Sequence, residues 1–297
     1  MSTPAIILIS CIVINSFIGV VFKLFARYGV NTFYAIMVNY IACVITGSIV
    51  MGEMPISVES VHERWFSTAV GLGFLFVIIF NIYATTIKYF GIVVSTIFQK
   101  MSMLAPAIIA ILFYGETLNA FKAVGILLGI LSIFFLSYQK NDTKEETSEI
   151  KTNVKKYWFL PFAVFLGSCI IDSSLFLMEA ENIAPSGDIS FVIHLFFFAF
   201  VAGLFLLVIQ LIKGAKSMQV RDLVAGICLG IPNFFSIYLL LKVIASGWDA
   251  SVVFPVNNVG ILSGSAIFGF LLFREQITRN KIVGLALAII AIVLISY

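Results

Sequence analysis

The chain has 297 residues, 61% of them hydrophobic and only 11% charged, with a formal net charge of +3. Soluble domains run nearer half apolar and a quarter charged, so the composition excludes an ordinary globular protein. No long basic patch accompanies the small net charge, which removes nucleic acid from the expected partners. The four cysteines, Cys11, Cys43, Cys169 and Cys228, stand singly with no CxxC spacing, so neither a metal nor a disulfide is expected.

Apolar residues come in blocks of roughly twenty, the length of a helix that crosses a hydrocarbon core of about 30 Å. They predict ten transmembrane helices, at 4–25, 32–51, 66–87, 92–113, 120–138, 158–178, 189–212, 223–242, 250–272 and 281–297. Only helices satisfy their own backbone groups within a single segment in lipid. The partner is therefore a lipid bilayer and the expected location a cell membrane, inner or plasma, crossed many times. The first run lacks a basic leader and a small-residue cleavage site, so it reads as a span rather than a secretory signal. Trp65, Trp158 and Trp248 fall at or just before span starts, where an interfacial belt would put them.

Span one carries Asn15 at mid-depth and Lys23 near its end, and span two carries Asn39. Span three carries Asn81, Tyr83 and Thr85. Span four holds Lys100 near its middle, beside Gln99. On a helix Ser95, Gln99, Ser102 and Pro106 share a face, with Thr96, Lys100 and Met103 alongside. A lysine at the bilayer centre costs about 2.5–3.5 kcal/mol on insertion scales, so it should face a partner or a wet cavity. Snorkelling does not relieve it, because roughly 15 Å of helix separates it from either end.

After span four comes a short polar turn with Glu116, then Gly125-x3-Gly129 in span five, a small-residue face for close helix approach. Glu116 and its counterpart Glu275 read as caps or loop anchors, favoured at helix N-termini by the macrodipole. Residues 139–157 are charged and mixed in sign, a solvated linker between a first five-helix repeat (1–138) and a second (158–297). Span six offers Asp172 on one face with Ser168. A Lys100–Asp172 pair would neutralise both charges, either as a switch that substrate or a proton opens or as a permanent structural ion pair.

Span seven has His194, at a place matching Asn39 in span two at an offset of 155, either a satisfied core residue or a proton carrier. In span eight, Asn233 follows Pro232, and Tyr238 shares the same offset with Tyr83. In span nine, Asn257 and Asn258 follow Pro255; such amides either re-satisfy carbonyls freed by proline or face a ligand. Gly284-x3-Ala288 in span ten completes the series.

Residues 114–138 align without gaps on 273–297: Glu116 with Glu275, Lys122 with Lys281, Gly125 with Gly284 and Tyr138 with Tyr297, all at 159. Five spans per copy reverse the orientation of the second, which predicts an all-α membrane protein built as a 5+5 inverted repeat, an architecture of secondary transporters. Arg27, Lys88, the linker lysines, Lys213, Lys216, Arg221, Arg274 and Arg279 lie in odd-numbered loops, so charge places both termini outside.

"LFYGETLNAFKAVGILLGILSIFFL", "FGFLLFREQITRNKIVGLALAIIAIVLI", "NIYATTIKYFG" and "SIYLLLKVIASG" resemble segments of the drug/metabolite transporter superfamily, in its EamA-like branch. The resemblance implies a central cavity lined by spans one, three, four, six, eight and nine. It implies gradient-driven export or exchange of small metabolites, such as amino acids or related and anionic solutes, with both termini inside. Arg274 replaces a usual Gly, and Asn39 stands where the family has a basic residue.

The resulting expectation is a secondary active transporter without enzymatic activity or cofactor, monomeric or homodimeric, working by alternating access. Its expected substrate-binding residues are Lys100, Gln99, Asp172, Asn15, Asn81, Tyr83, Asn233, Tyr238, Asn257 and Asn258. Asp172 and His194 are the candidates for proton coupling. The competing classes are a lipid or polyprenyl-carrier flippase and a non-transporting scaffold. Two histidines and no HExxH, GxSxG or Walker A motif argue against an enzyme.

Overall fold

A computed structural model describes residues 3–137, 157–184, 188–212, 218–273 and 278–295. Among them the chain is all helix: α1 (Thr3–Tyr28), α2 (Thr32–Met51), α3 (Phe66–Lys100), α4 (Leu104–Phe113), α5 (Ala120–Ser137), α6 (Leu160–Ala180), α7 (Ile189–Ile212), α8 (Val220–Ala245), α9 (Ala250–Phe273) and α10 (Arg279–Ile295). Eight segments of the described residues are long and apolar enough to cross a membrane; α3 and α4 supply two of these, Phe66–Tyr83 and Ser95–Phe113. The two remaining helices, α5 and α10, are shorter at 18 and 17 residues. Exposed apolar stripes fit lipid as the solvent: Ile6, Ile9, Val13 and Phe17 run along one side of α1. Residues 139–156 of the linker, Arg274 and Glu275 lie outside the described residues.

The helix edges follow the apolar runs closely except around spans three and four. There the helical backbone runs from Phe66 to Lys100, and the break falls at a 3-10 turn, Met101–Met103, instead of near residue 90. Tyr83 Oη nevertheless lies 3.2 Å from Thr96 Oγ1. Thirteen positions of straight helix would separate these residues by about 20 Å, so the axis of α3 must bend sharply between them. The turn expected from the apolar pattern is present as a bend and not as a loop.

The chain divides into two compact units, Met1–Val77 with Ser174–Trp248, and Ile78–Ser173 with Asp249–Tyr297. Each draws helices from both sequence halves, so compactness and sequence repetition partition the chain differently. In the first unit α1 and α2 pack on α8, and α2 also packs on α7. The contact of α8 with α2 depends on glycine: a Cβ at Gly226 would meet the Ala35 carbonyl oxygen at 2.5 Å, and one at Gly230 the Asn39 carbonyl oxygen at 2.7 Å. Trp65 lies in this unit's core at 3% exposure against Phe191 and His194, and is not the interfacial belt residue expected from its position.

In the second unit α5 packs on α10, and α9 packs on α4, α5 and α10. A Cβ at Gly125 would meet Ile295 and the Ala291 carbonyl, and one at Gly284 would meet Leu136. Ser132 Oγ donates to the Gly284 carbonyl at 2.8 Å. These contacts are reciprocal at one offset (284 − 125 = 295 − 136 = 291 − 132 = 159). The small-residue faces of spans five and ten thus meet each other. In the first unit Gly47 of α2 meets Ile193 of α7, and Gly203 of α7 meets Met37 of α2 (203 − 47 = 193 − 37 = 156). Gly73 of α3 docks on Leu195 and Phe198 of α7 as Gly230 docks on Asn39 and Ala42 of α2. In the second of these contacts Asn39 takes the place that Leu195, the neighbour of His194, takes in the first.

Candidate functional site

The second unit gathers the charged residues predicted at mid-depth. At the end of α3, Lys100 donates from Nζ to Asn258 Oδ1 of α9 at 3.3 Å. Ser102, in the 3-10 turn, lies with its Oγ 2.5 Å from Asp172 Oδ2 of α6 and 2.7 Å from the Gln99 carbonyl oxygen. Lys100 and Asp172 are within electrostatic reach of each other. The local cause is readable: the turn at 101–103 rotates Ser102 inward to 2% exposure, while Asn257 and Asn258 are buried on α9 two and three residues after Pro255. The cluster therefore holds an ammonium, a carboxyl, a hydroxyl and amides in an apolar surround. Such a set can bind a small solute with complementary charge, or a proton.

Tyr83 belongs to the same unit and bonds to Thr96 in the bend of α3, while Asn81 is exposed, with its backbone carbonyl accepting from Thr85 Oγ1 at 2.8 Å. In the first unit one amide pair bridges helices, while Asn15 bonds within its own helix. Asn233 Nδ2 donates to Asn39 Oδ1 at 3.1 Å, joining α8 to α2. Asn15 Nδ2 returns to the Cys11 carbonyl of its own helix at 3.1 Å. Tyr238 stacks on Phe234 at 5.6 Å with Lys242 Nζ 4.8 Å from its ring centroid. His194 is 1% exposed; its Nδ1 lies 2.8 Å from the Ser190 carbonyl oxygen, and its ring packs 4.8 Å from Trp65. A carbonyl only accepts, so Nδ1 carries the hydrogen. Nε2 has no hydrogen-bond partner among the described residues.

Sequence reasoning placed Ser102 on the polar face without giving it a role, and missed two other features. Cys11 Sγ donates to the Ser236 carbonyl at 3.3 Å and Cys43 Sγ to the Gly230 carbonyl at 3.2 Å, so both thiols bridge to α8. Glu116 caps a helix other than its own. Gly115, with φ +71°, turns the chain after α4, and both Glu116 oxygens accept from α9, at 2.6 Å from Ala250 N and 2.9 Å from Ser251 N. Only the i,i+4 and N-cap rules are visible in sequence; a cap across helices is not.

The comparisons agree with this architecture. Residues 165–297 match the model of the EamA-like transporter family. An uncharacterized protein of Haemophilus influenzae is 28% identical over 227 residues, which are 76% of this chain and 74% of that protein. A solved crystal structure is similar with a TM-score of 0.75 at 13% identity, covering 99% of this chain and 96% of that chain, which shows a shared fold. The C-terminal part of this all-helical, multi-pass membrane protein is thus similar to EamA-like transporter domains.

Proposed function

We propose that the chain is a secondary active transporter that exports or exchanges a small metabolite by alternating access, with Lys100, Asp172 and Asn258 as the polar groups the solute meets. The observation that carries this reading is the cluster in the second unit, an ammonium on an amide and a carboxyl on a hydroxyl, set in apolar helices. A lysine at such a depth costs about 2.5–3.5 kcal/mol, a cost that a scaffold has no reason to bear. The match of residues 165–297 to the EamA-like transporter family supports transport of a small molecule. The reciprocal contacts of Gly125 with Ile295 and Gly284 with Leu136 support construction as a 5+5 inverted repeat. The Lys100 ammonium suits a carboxylate or another anionic group, and Gln99 and Asn257 stand beside it in sequence to add hydrogen bonds.

The test is a metabolite flux screen in proteoliposomes under defined pH and sodium gradients, with Lys100→Ala beside the parent chain. A charged hydrogen bond is worth about 1.5–3 kcal/mol, so transport of an anionic solute should fall at least about tenfold. Full transport with unchanged solute preference in Lys100→Ala would sink the assignment of Lys100. Flux of a labelled lipid alone would replace the reading with a flippase.

A further inference from the structure

The Ser102 hydroxyl makes two short oxygen contacts, 2.7 Å to the Gln99 carbonyl and 2.5 Å to Asp172 Oδ2. Both separations are those of short O–H···O hydrogen bonds, and each is strongest with a hydrogen of its own near the O···O line. Ser102 has one hydrogen and a carbonyl oxygen has none. With an ionised Asp172, the single Ser102 hydrogen would have to serve two short contacts, and at least one of them would be poorly aligned. A protonated Asp172 removes the conflict: its carboxyl O–H donates to Ser102, and Ser102 donates its own hydrogen to Gln99.

We propose that Asp172 is a proton-binding site and that Ser102 relays its protonation state to the break between α3 and α4. The exchange is balanced without any bond to carbon changing. Asp172 releases its proton to water, the Ser102 O–H turns from Gln99 to the carboxylate, and the Gln99 carbonyl gives up its bond from the hydroxyl. Ser102 lies within the 3-10 turn Met101–Met103, so the bond that changes hands belongs to the element that ends α3. Among the described residues, Lys100, which precedes the turn, acts electrostatically on Asp172, and Asp172 in turn acts on Cys169, one turn earlier on α6. Asn258 faces Lys100 with a neutral amide.

Lys100 supplies the consequence for transport, which rests on the reading proposed above. An ionised Asp172 competes for the ammonium that Asn258 now holds; a protonated one leaves it to an anionic solute. Proton and anion therefore favour each other's binding, and by linkage the coupling is reciprocal.

The proton site is tested without any solute. Infrared difference spectra of the full chain reconstituted in lipid, taken between acid and alkaline pH, should show a protonated-carboxyl C=O band that disappears on titration. That band should be absent in Asp172→Asn. In Ser102→Ala it should shift in frequency and in titration midpoint, because its hydrogen-bond acceptor is gone, and Ser102→Thr should restore both. An Asp172→Asn spectrum identical to the parent's, or a Ser102→Ala band that superimposes on it, overturns the proposal. The Ser102 pair decides the matter if Asp172→Asn fails to fold. Absence of flux in every gradient would instead overturn the transporter reading and leave the proton site standing.

Discussion

Lys122 opens α5 with its side chain only 6% exposed, and Nζ meets Asp249 Oδ2 at 2.5 Å; the Asp249 side chain is 45% exposed. The Thr117 carbonyl and Ser251 Oγ, both at 3.2 Å, complete the ammonium's shell. The two partners are therefore unequal, and their removal should cost unequally. Asp249→Ala strands a buried ammonium on two neutral acceptors. Breaking a buried pair costs about 3–5 kcal/mol, and the surviving acceptors reduce this to about 2–3 kcal/mol. Lys122→Met leaves a carboxylate that water can solvate and fills the stem's volume with an apolar chain, at about 0–1 kcal/mol. The double variant should fall within about 1 kcal/mol of Lys122→Met, since no charge remains stranded. The assay is unfolding of the detergent-solubilised chain, with all variants in one buffer. If Lys122→Met proves as costly as Asp249→Ala, burial of the ammonium is not what makes the pair matter, and the reasoning fails.

Gly125→Ala and Gly284→Ala should each destabilise by about 1–3 kcal/mol, since the new Cβ would stand 3.0 Å from the Ala291 carbonyl oxygen and 2.9 Å from Leu136 N respectively. Gly71→Ala, whose Cβ meets nothing within 4 Å, should be neutral or gain up to about 1 kcal/mol of helix propensity; unfolding curves that rank it with the other two would contradict the contact argument. His194→Phe keeps a ring against Trp65 and removes the buried Nε2, so thermal stability should hold or rise, whereas His194→Ala should lose about 2–4 kcal/mol. Loss of pH-dependent flux in His194→Phe with the fold intact would reassign that residue to proton coupling.

Much of this architecture is legible without coordinates because lipid leaves few choices. Apolar runs of about twenty residues must be helices, and the edges of α2 and α7 coincide with the runs at 32–51 and 189–212. The small-residue pairs at Gly125 and Gly284 announce close approach, and each helix proves to be the other's neighbour. Lys100 and Asp172 stand out by the cost of charge at their depth. Which groups they meet is decided only in three dimensions. Asn258 lies 158 residues from Lys100, and Ser102 lies 70 from Asp172. Local pattern says which face a residue shares, and nothing about which helix turns toward that face. The same limit hid the cap of Glu116 on α9 and enclosed Trp65 beside His194. Sequence by itself determined the helices and the residues too polar for lipid, because both follow from transfer energies summed along a segment. Tertiary structure alone decided the pairings, because a hydrogen bond depends on ångström-scale distances between segments whose separation along the chain carries no information about their separation in space.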